Sequence, residues 1–165
     1  RGGLRPSGLL ARAKREKARN GLGLVVVDYL GLLDADERTR SSYERMSLLS
    51  RAIKGVARAL GVPVLCLAQL KRPEDGRAVR RPTKFELRDS GQIEADADVI
   101  LLLHRSSIAK DEEVDQTKPD PTEIIVEKQR NGPTGIVKVG FVPATRKFVN
   151  MAWWETRTSV SDDYR

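Results

Sequence analysis

The sequence predicts an α/β fold in which a mostly parallel sheet is flanked by helices and followed by an antiparallel hairpin. Three short apolar runs, each suited to a strand buried on both faces, are separated by a helix or a long connection. Near the carboxyl end the pattern changes to the alternation typical of a half-buried hairpin. With 165 residues, of which 39% are hydrophobic and 32% charged, the chain has the size and composition of one globular domain.

Two helices are predicted before the second strand. The first begins with Ser7 as its cap, runs to about Arg19 and ends at the sequence NGLG. The second runs from about Tyr43 to Leu60, because apolar residues recur there every three or four positions along one face. Gly61 is expected to end this helix, with a proline two residues further on.

The three apolar runs are predicted to be parallel strands, and two later segments a hairpin. The runs are LVVV at 24–27, VLCLAQ at 64–69 and DVILLL at 98–103. The segments EIIVEKQ (123–129) and IVKVGFV (136–142) alternate more strictly, and the sequence RNGPTG between them is typical of a turn.

Two other segments lack a core pattern. Residues 106–121 are polar and are predicted to form a loop. We expect residues 1–152 to be the folded part and residues 153–165 to be a disordered tail.

Composition argues against a membrane protein and against a disulfide-linked one. No apolar run approaches the roughly 20 residues that a membrane-spanning helix needs, so we expect no membrane partner. The single cysteine, Cys66, lies inside an apolar run and cannot form a disulfide within the chain. A reducing, cytoplasmic location is therefore expected.

The net charge of +7 is unevenly distributed along the chain. Residues 1–19 contain seven Lys or Arg and one acidic residue. Residues 71–84 contain six Lys or Arg and two acidic residues. Clustered cations suit a polyanion such as nucleic acid, and a solvated basic surface is the alternative. Few aromatic residues are interleaved with these cations, so base stacking is not indicated.

Asp28 follows the first predicted strand, where a carboxylate beside a core is costly unless cations or donors meet it. A strand that simply reaches solvent would explain it, and so would an aspartate that orders Mg²⁺ beside nucleotide phosphates. Parallel sheets place ligand sites at the carboxyl ends of their strands. Gln69, just past the second strand, is therefore expected beside Asp28, although an ordinary polar residue at a strand end is the alternative.

Four ordered segments, LVVVDYLGLL, GVPVLCLAQL, ELRDSGQIEADADVILLLHR and VEKQRNGPTG, resemble the C-terminal motor domain of DnaB-type replicative helicases. These are ring-forming members of the RecA-like ATPase superfamily, and the resemblance runs from about Pro6 to Phe148. It implies that residues 1–152 are the later part of a RecA-like P-loop ATPase core that uses ATP and Mg²⁺. It also implies a homohexamer acting on single-stranded DNA at the replication fork, with a primase and a helicase loader as partners.

The resemblance assigns roles at an ATP site. Asp28 is implied to contribute to the magnesium shell, and Gln69 to couple hydrolysis to the DNA-binding loop. Lys128 and Arg130, which alternate along a predicted strand, are implied to serve the ATP site of a neighbouring subunit. On spacing alone these two would be solvated hairpin cations. Arg105 is implied to lie near the nucleotide interface.

The resemblance also assigns residues to DNA binding. Arg88, Asp89 and Gly91 of the sequence RDSG match the element that touches the DNA backbone. Gly91 can present its N–H to a phosphate with no side chain in the way. Asp89 is shorter than the glutamate usual at its position. Lys71 and Arg72 in the basic loop are expected to contact DNA or to steer it electrostatically.

The sequence contains no phosphate-binding loop of the form G-x-x-x-x-G-K-[ST], because none of its thirteen glycines is followed by lysine. We expect that loop, and the catalytic glutamate of the family, upstream of the first residue, so that this chain is inactive as an ATPase by itself. Two alternatives remain open. One is a RadA- or RecA-like repair or recombination ATPase, and the other is a non-catalytic remnant that binds single-stranded DNA.

Overall fold

The computed structural model describes residues 3–70, 81–109 and 113–151, apart from the side chains of residues 88–90, 106 and 109. Its helices and strands, in chain order, are α1 (Pro6–Asn20), β1 (Val25–Val27), a first 3-10 helix (Leu30–Leu32), α2 (Ser42–Leu60), β2 (Val64–Cys66), a second 3-10 helix (Lys84–Ser90), α3 (Gly91–Asp96), β3 (Val99–Arg105), α4 (Ser106–Ala109), β4 (Asp120–Gln129), β5 (Gly135–Val142) and β6 (Lys147–Val149).

The chain divides into two compact units. Among the described residues, unit 1 comprises 3–70 and 84–97, and unit 2 comprises 81–83, 98–109 and 113–151. Unit 1 therefore holds β1 and β2 with α1, α2 and α3, and unit 2 holds the remaining strands with α4.

The first helix starts differently from its predicted start. Pro6 occupies the first turn of α1, where the missing N–H of proline has no cost, and Arg5 is the N-cap residue. Ser7 lies inside the helix and donates through its Oγ to Asp36 Oδ1 at 2.6 Å. The prediction that Ser7 caps the helix is therefore wrong, because the proline sets the start.

Both ends of α2 are fixed by local capping. The Oγ of Ser41 accepts a hydrogen bond from the Glu44 N–H at 3.1 Å, and a Glu44 carboxylate oxygen accepts one from the Arg40 N–H at 2.7 Å. Gly61 adopts a left-handed conformation with φ of 58°, which only glycine adopts without strain. The predicted end of this helix is confirmed.

In unit 1, β1 and β2 form a parallel sheet in which Val25 pairs with Val64 and Val27 with Cys66. Buried residues of α1, α2, β1, the first 3-10 helix and the adjoining segments form one core on this sheet: Ala13, Val25, Val27, Leu30, Leu33, Leu49, Ile53, Val56, Leu60 and Val62. On the other face of the sheet, Val26 and Leu65 are exposed. Within the described residues of this unit, one face of the sheet is therefore covered, because α1 and α2 pack on the same side, whereas the apolar runs predicted cover on both faces.

In unit 2, the four strands form an antiparallel sheet in the order β3–β4–β5–β6. The predicted hairpin is confirmed as β4 and β5. The third apolar run, expected in the parallel sheet, instead pairs antiparallel with β4. Ile100 and Leu102 are buried while Leu101 and Leu103 are exposed, which is the one-sided burial typical of antiparallel strands. The α/β class is confirmed, and in the described part of the chain the parallel sheet has two strands and the antiparallel sheet four.

Three segments complete the comparison with the predicted elements. The predicted loop at 106–121 contains the short helix α4 and the first residues of β4, and no sequence pattern indicated the second 3-10 helix or α3. The predicted tail at 153–165 lies outside the described residues. No helix in the described part of the chain is long and apolar enough to span a bilayer.

Candidate nucleotide and DNA site

The carboxyl edge of the β1–β2 sheet carries Asp28 and Gln69. Asp28 directly follows β1, and Gln69 lies shortly beyond the end of β2. Backbone pairing continues past the strands, since the Leu67 N–H donates to the Val27 oxygen at 2.9 Å and the Leu30 N–H donates to the Leu67 oxygen at 2.9 Å. Both Asp28 and Gln69 are exposed. The structure thus brings a carboxylate and an amide to the edge where parallel sheets bind ligands, as predicted.

A pocket of about 260 Å³ adjoins Gln69 in unit 1. Its walls include Tyr29 and Gln69 from the sheet edge, Arg45 from α2, Glu86 from the second 3-10 helix and Ile93 from α3. Gln69 therefore shares a cavity with the two short helices that carry the RDSG sequence.

The sheet-edge wall of this pocket is held in place by two contacts. Nη2 of Arg45 donates to the backbone oxygens of Gly31 at 3.0 Å and Leu33 at 2.6 Å, which ties α2 to the loop after β1. A Cβ added at Gly31 would lie 2.6 Å from Cε2 of Tyr29. Glycine is therefore required at position 31 for the Tyr29 ring to lie where it does.

The predicted DNA-contact residues are only partly described. Arg88 and Asp89 belong to the second 3-10 helix, but their side chains lie outside the described part of the structure. Gly91 is the exposed first residue of α3, and a Cβ added there would meet no atom within 4 Å. In the described part of the chain, the space beside the Gly91 Cα is therefore open. Lys71 and Arg72 lie outside the described residues.

Arg81, the first described residue of the basic segment 71–84, forms an ion pair with β4 in unit 2. Its Nε and Nη2 each donate to a carboxylate oxygen of Glu123 at 2.6 Å. This side-chain hydrogen bond lowers the pKa of Glu123 below its usual value and raises the pKa of Arg81. The Arg81 side chain is 58% exposed, and ion pairs at the surface contribute little to the free energy of folding.

Lys128 is the second-last residue of β4, and Arg130 directly follows the strand. Lys128 is half-buried and pairs with Ile100 of β3. The backbone N–H of Arg130 donates to the Asp98 backbone oxygen at 2.8 Å. The Nε atom of Arg130 lies 3.4 Å from Asp98 Oδ1, and the Arg130 side chain is 51% exposed. The register shifts just before Lys128, where Glu127 is the extra residue of a bulge. Bulges of this kind re-aim the side chains that follow them.

Arg105 occupies a structural cluster that the sequence did not reveal. Its Nε and Nη2 donate to Oδ2 of Asp120 at 2.9 and 2.7 Å, and the Ser107 Oγ donates to the same oxygen at 2.5 Å. The guanidinium carbon lies 4.6 Å from the centre of the Phe141 ring. These contacts join the end of β3 to β4 and β5. The predicted place of Arg105 near nucleotide stays a prediction.

The structure thus groups the predicted residues in two sets. Asp28 and Gln69 belong to unit 1, whereas Arg105, Lys128 and Arg130 belong to unit 2. The described residues contain no cluster of three His, Cys, Asp or Glu side chains that would hold a metal by themselves. A parallel strand pair followed by Asp and Gln, together with an antiparallel sheet, agrees with the α/β class of RecA-like ATPase folds.

Comparison with known proteins identifies the family within that class. The DnaB-like helicase C-terminal domain family matches residues 1–150, and the chain belongs to this family. Among curated relatives, the replicative DNA helicase DnaB of Leifsonia xyli subsp. xyli is 44% identical over 142 residues, covering 86% of this chain and 30% of the relative. The DnaB of Geobacillus stearothermophilus is 39% identical over 149 residues, covering 90% and 32%.

Solved structures agree with this assignment. A structure of a DnaB-like replicative helicase and its interactions with primase superposes with a TM-score of 0.80 at 35% identity, covering 90% of this chain and 36% of the other. A second solved structure, described as an ATPase domain, gives the same TM-score of 0.80 at 35% identity, covering 90% of this chain and 52% of the other. The chain spans about a third of the length of the curated relatives it matches.

Replacing Arg105 tests its structural contact directly. Arg105→Ala leaves the Asp120 carboxylate, whose side chain is 6% exposed, without its cation. We expect the free energy of unfolding to fall by about 3–5 kcal/mol, the cost of a buried charge that loses its partner. Urea denaturation of this chain measures the free energy of unfolding. Lys147→Ala is the control, because it removes an exposed cation on β6. Unchanged stability together with weakened nucleotide binding in the full-length protein would favour the nucleotide role instead.

Proposed function

We propose that the chain is part of the motor of a ring-shaped replicative DNA helicase. The parent protein would couple ATP hydrolysis to movement along single-stranded DNA and to unwinding of the duplex at the fork. The observation that carries this proposal is the parallel pairing of β1 and β2, which brings Asp28 and Gln69 to one ligand-binding edge. Membership of the DnaB-like family favours a helicase over the RecA-like repair ATPase.

The Asp28 edge suits a magnesium ion that is shared with a nucleotide. Mg²⁺ in such sites keeps several waters and takes one or two carboxylates together with substrate phosphates, rather than a cage of protein ligands. A single exposed carboxylate at a strand end, without a cluster of metal-binding side chains in the described residues, fits that requirement. Bound there, MgATP supplies the phosphoryl group that is transferred to water. The role of Asp28 is to hold and orient the hydrated ion.

Gln69 is proposed to pass the state of the nucleotide to the DNA element. Its amide can both donate and accept hydrogen bonds, so it can respond to a phosphate or to a water at the sheet edge. The pocket that it shares with Glu86 and Ile93 supports this role, because a shift of Gln69 changes the shape of a cavity that the second 3-10 helix and α3 also line. Arg88, Asp89 and Gly91 follow within that segment, and Lys71 and Arg72 are proposed to add phosphate contacts.

Lys128 and Arg130 are proposed to complete the ATP site of a neighbouring subunit in a homohexamer. Phosphoryl transfer places charge on the phosphate oxygens, and a guanidinium supplied by a neighbour stabilises it. Arg130 suits this role because its side chain is half exposed while its backbone is hydrogen-bonded to Asp98. A primase is a proposed partner, since a similar structure describes a DnaB-like helicase and its interactions with primase. We also propose a helicase loader as a second protein partner, and the cytoplasm as the location of the parent protein.

Arg88→Ala in the full-length ring tests the DNA element. Because Arg88 is assigned to a phosphate, we expect weaker binding of single-stranded DNA irrespective of sequence. The slope of log affinity against log salt concentration should become less steep by about one, which corresponds to the loss of one phosphate contact. Fluorescence anisotropy with labelled oligonucleotides at several salt concentrations measures both. Arg58→Ala, an exposed arginine at the end of α2, is the control. Equal affinity and equal slope in Arg88→Ala and Arg58→Ala would contradict the assignment.

Mixed rings test whether Arg130 acts in a neighbouring subunit. We expect Arg130→Ala to keep ring assembly and ATP binding but to lower turnover by about a thousandfold, as for loss of an arginine finger. Asp28→Asn should lower Mg²⁺-dependent turnover from the other side of the interface. Rings that mix both variants should regain activity, because some interfaces then combine a wild-type Asp28 with a neighbour's wild-type Arg130.

Two controls accompany the mixed-ring experiment. Lys138→Ala, an exposed cation on β5, should keep full turnover, and subunit exchange should be verified by mass spectrometry of the mixed rings. Exchanged rings without recovered turnover would contradict action between subunits. Wild-type rings without any turnover would instead favour the non-catalytic DNA-binding remnant.

A further inference from the structure

The short helix α3 owes its position to contacts with other elements. It has six residues, too few for a helix to be stable in water by itself. None of its residues is fully buried, and Ile93 is only half-buried where it packs against the core of unit 1. The polar contacts that join α3 to α2 therefore have a large share in fixing where it lies.

Four polar side chains, which we call the α2–α3 cluster, make these contacts: Ser50, Arg51, Gln92 and Asp96. One carboxylate oxygen of Asp96 accepts from the Ser50 Oγ at 2.8 Å, and the other accepts from the Gln92 Nε2 at 2.8 Å. The Gln92 Oε1 accepts from Nη2 of Arg51 at 2.9 Å. Ser50 is 8% exposed, so its hydroxyl is directed into the contact between the helices.

Local helix preferences do not explain the two central residues of the cluster. Asp96 lies in the last turn of α3, where the helix dipole disfavours an acid and where no basic residue compensates for it. Ser50 lies in the middle of α2, where serine competes with helical hydrogen bonding. The hydrogen bond between them explains both, since each is placed to meet the other across the contact.

We propose that Ser50 and Asp96 are positioning residues for the DNA element Arg88–Gly91. This inference rests on the proposed function, which gives that element a phosphate to meet. Gly91 is the first residue of α3 and Asp96 is the last, so a hydrogen bond at Asp96 fixes the helix whose start carries the Gly91 N–H. Ser50 and Asp96 act through α3 without contacting DNA themselves.

α2 also supplies a matched control. Ser47 lies almost one turn before Ser50, and its Oγ is buried without a hydrogen-bond partner in the described part of the chain. Ser47→Ala therefore removes the same hydroxyl group from the same helix without removing a contact between α2 and α3.

The experiment measures the affinity of the full-length ring for labelled oligothymidylate in the presence of a non-hydrolysable ATP analogue. We expect Ser50→Ala to weaken binding about tenfold, which corresponds to loss of one hydrogen bond to a charged group. Asp96→Asn should act similarly, because an amide has one acceptor oxygen where the carboxylate has two. The double variant should lose much less than the product of the single losses, since both changes break the same contact.

Further readouts separate positioning from general damage. ATP turnover without DNA and ring assembly should remain at wild-type values in Ser50→Ala and Asp96→Asn, and Ser47→Ala should retain wild-type DNA affinity. Parallel losses in DNA affinity, DNA-independent turnover and assembly would show a merely structural role and overturn the proposal.

Arg88→Ala in the same assay distinguishes this inference from the function on which it rests. Unchanged DNA affinity in Arg88→Ala would overturn the proposed DNA element and the inference with it. Weakened binding in Arg88→Ala, with Ser50→Ala and Asp96→Asn indistinguishable from Ser47→Ala, would overturn the positioning role alone.

Discussion

The backbone pairing of β1 with β2 is the constraint on which the proposed site depends. The hydrogen bond from the Leu67 N–H to the Val27 oxygen continues the parallel ladder beyond the last strand residues, and the bond from Leu30 back to Leu67 holds the following turn. Asp28 and Gln69 are far apart in sequence, and this pairing brings them to one edge. The carboxyl ends of paired parallel strands lie at the same edge of the sheet, so residues that follow the two strands are brought to that edge by the strand pairing alone.

The second helix connects that edge to the rest of unit 1. Leu49 of α2 is fully buried in the core, while Arg45, on the same helix, binds the backbone after β1. Ser50, next to Leu49, binds Asp96 of α3. One capped helix thus contacts both the edge proposed to bind nucleotide and α3, which begins at the end of the segment proposed to bind DNA. We propose that α2 is a physical route by which the state of one site affects the other.

Sequence patterns predicted the elements whose signals are local, and they missed those that depend on partners distant in sequence. The apolar repeat of α2 and Gly61 at its end are local signals, and the structure has both. An apolar strand carries no mark of its neighbour, so the antiparallel pairing of β3 with β4 was not foreseen. Asp120 lay in a predicted loop, and nothing nearby in sequence indicated that Arg105 would bind it. The bulge at Glu127 likewise has no sequence signal, because it arises from strand register.

The most direct measurement is a cryo-electron-microscopy structure of the full-length ring with Mg²⁺ and a non-hydrolysable ATP analogue. We expect the nucleotide phosphates at the carboxyl edge of β1 and β2, with the Asp28 carboxylate bound to Mg²⁺ directly or through one of its waters. We also expect the Arg130 guanidinium of the adjacent subunit to approach the terminal phosphate. Phosphates bound away from this edge, or an Arg130 that approaches only the nucleotide of its own subunit, would contradict the central claim.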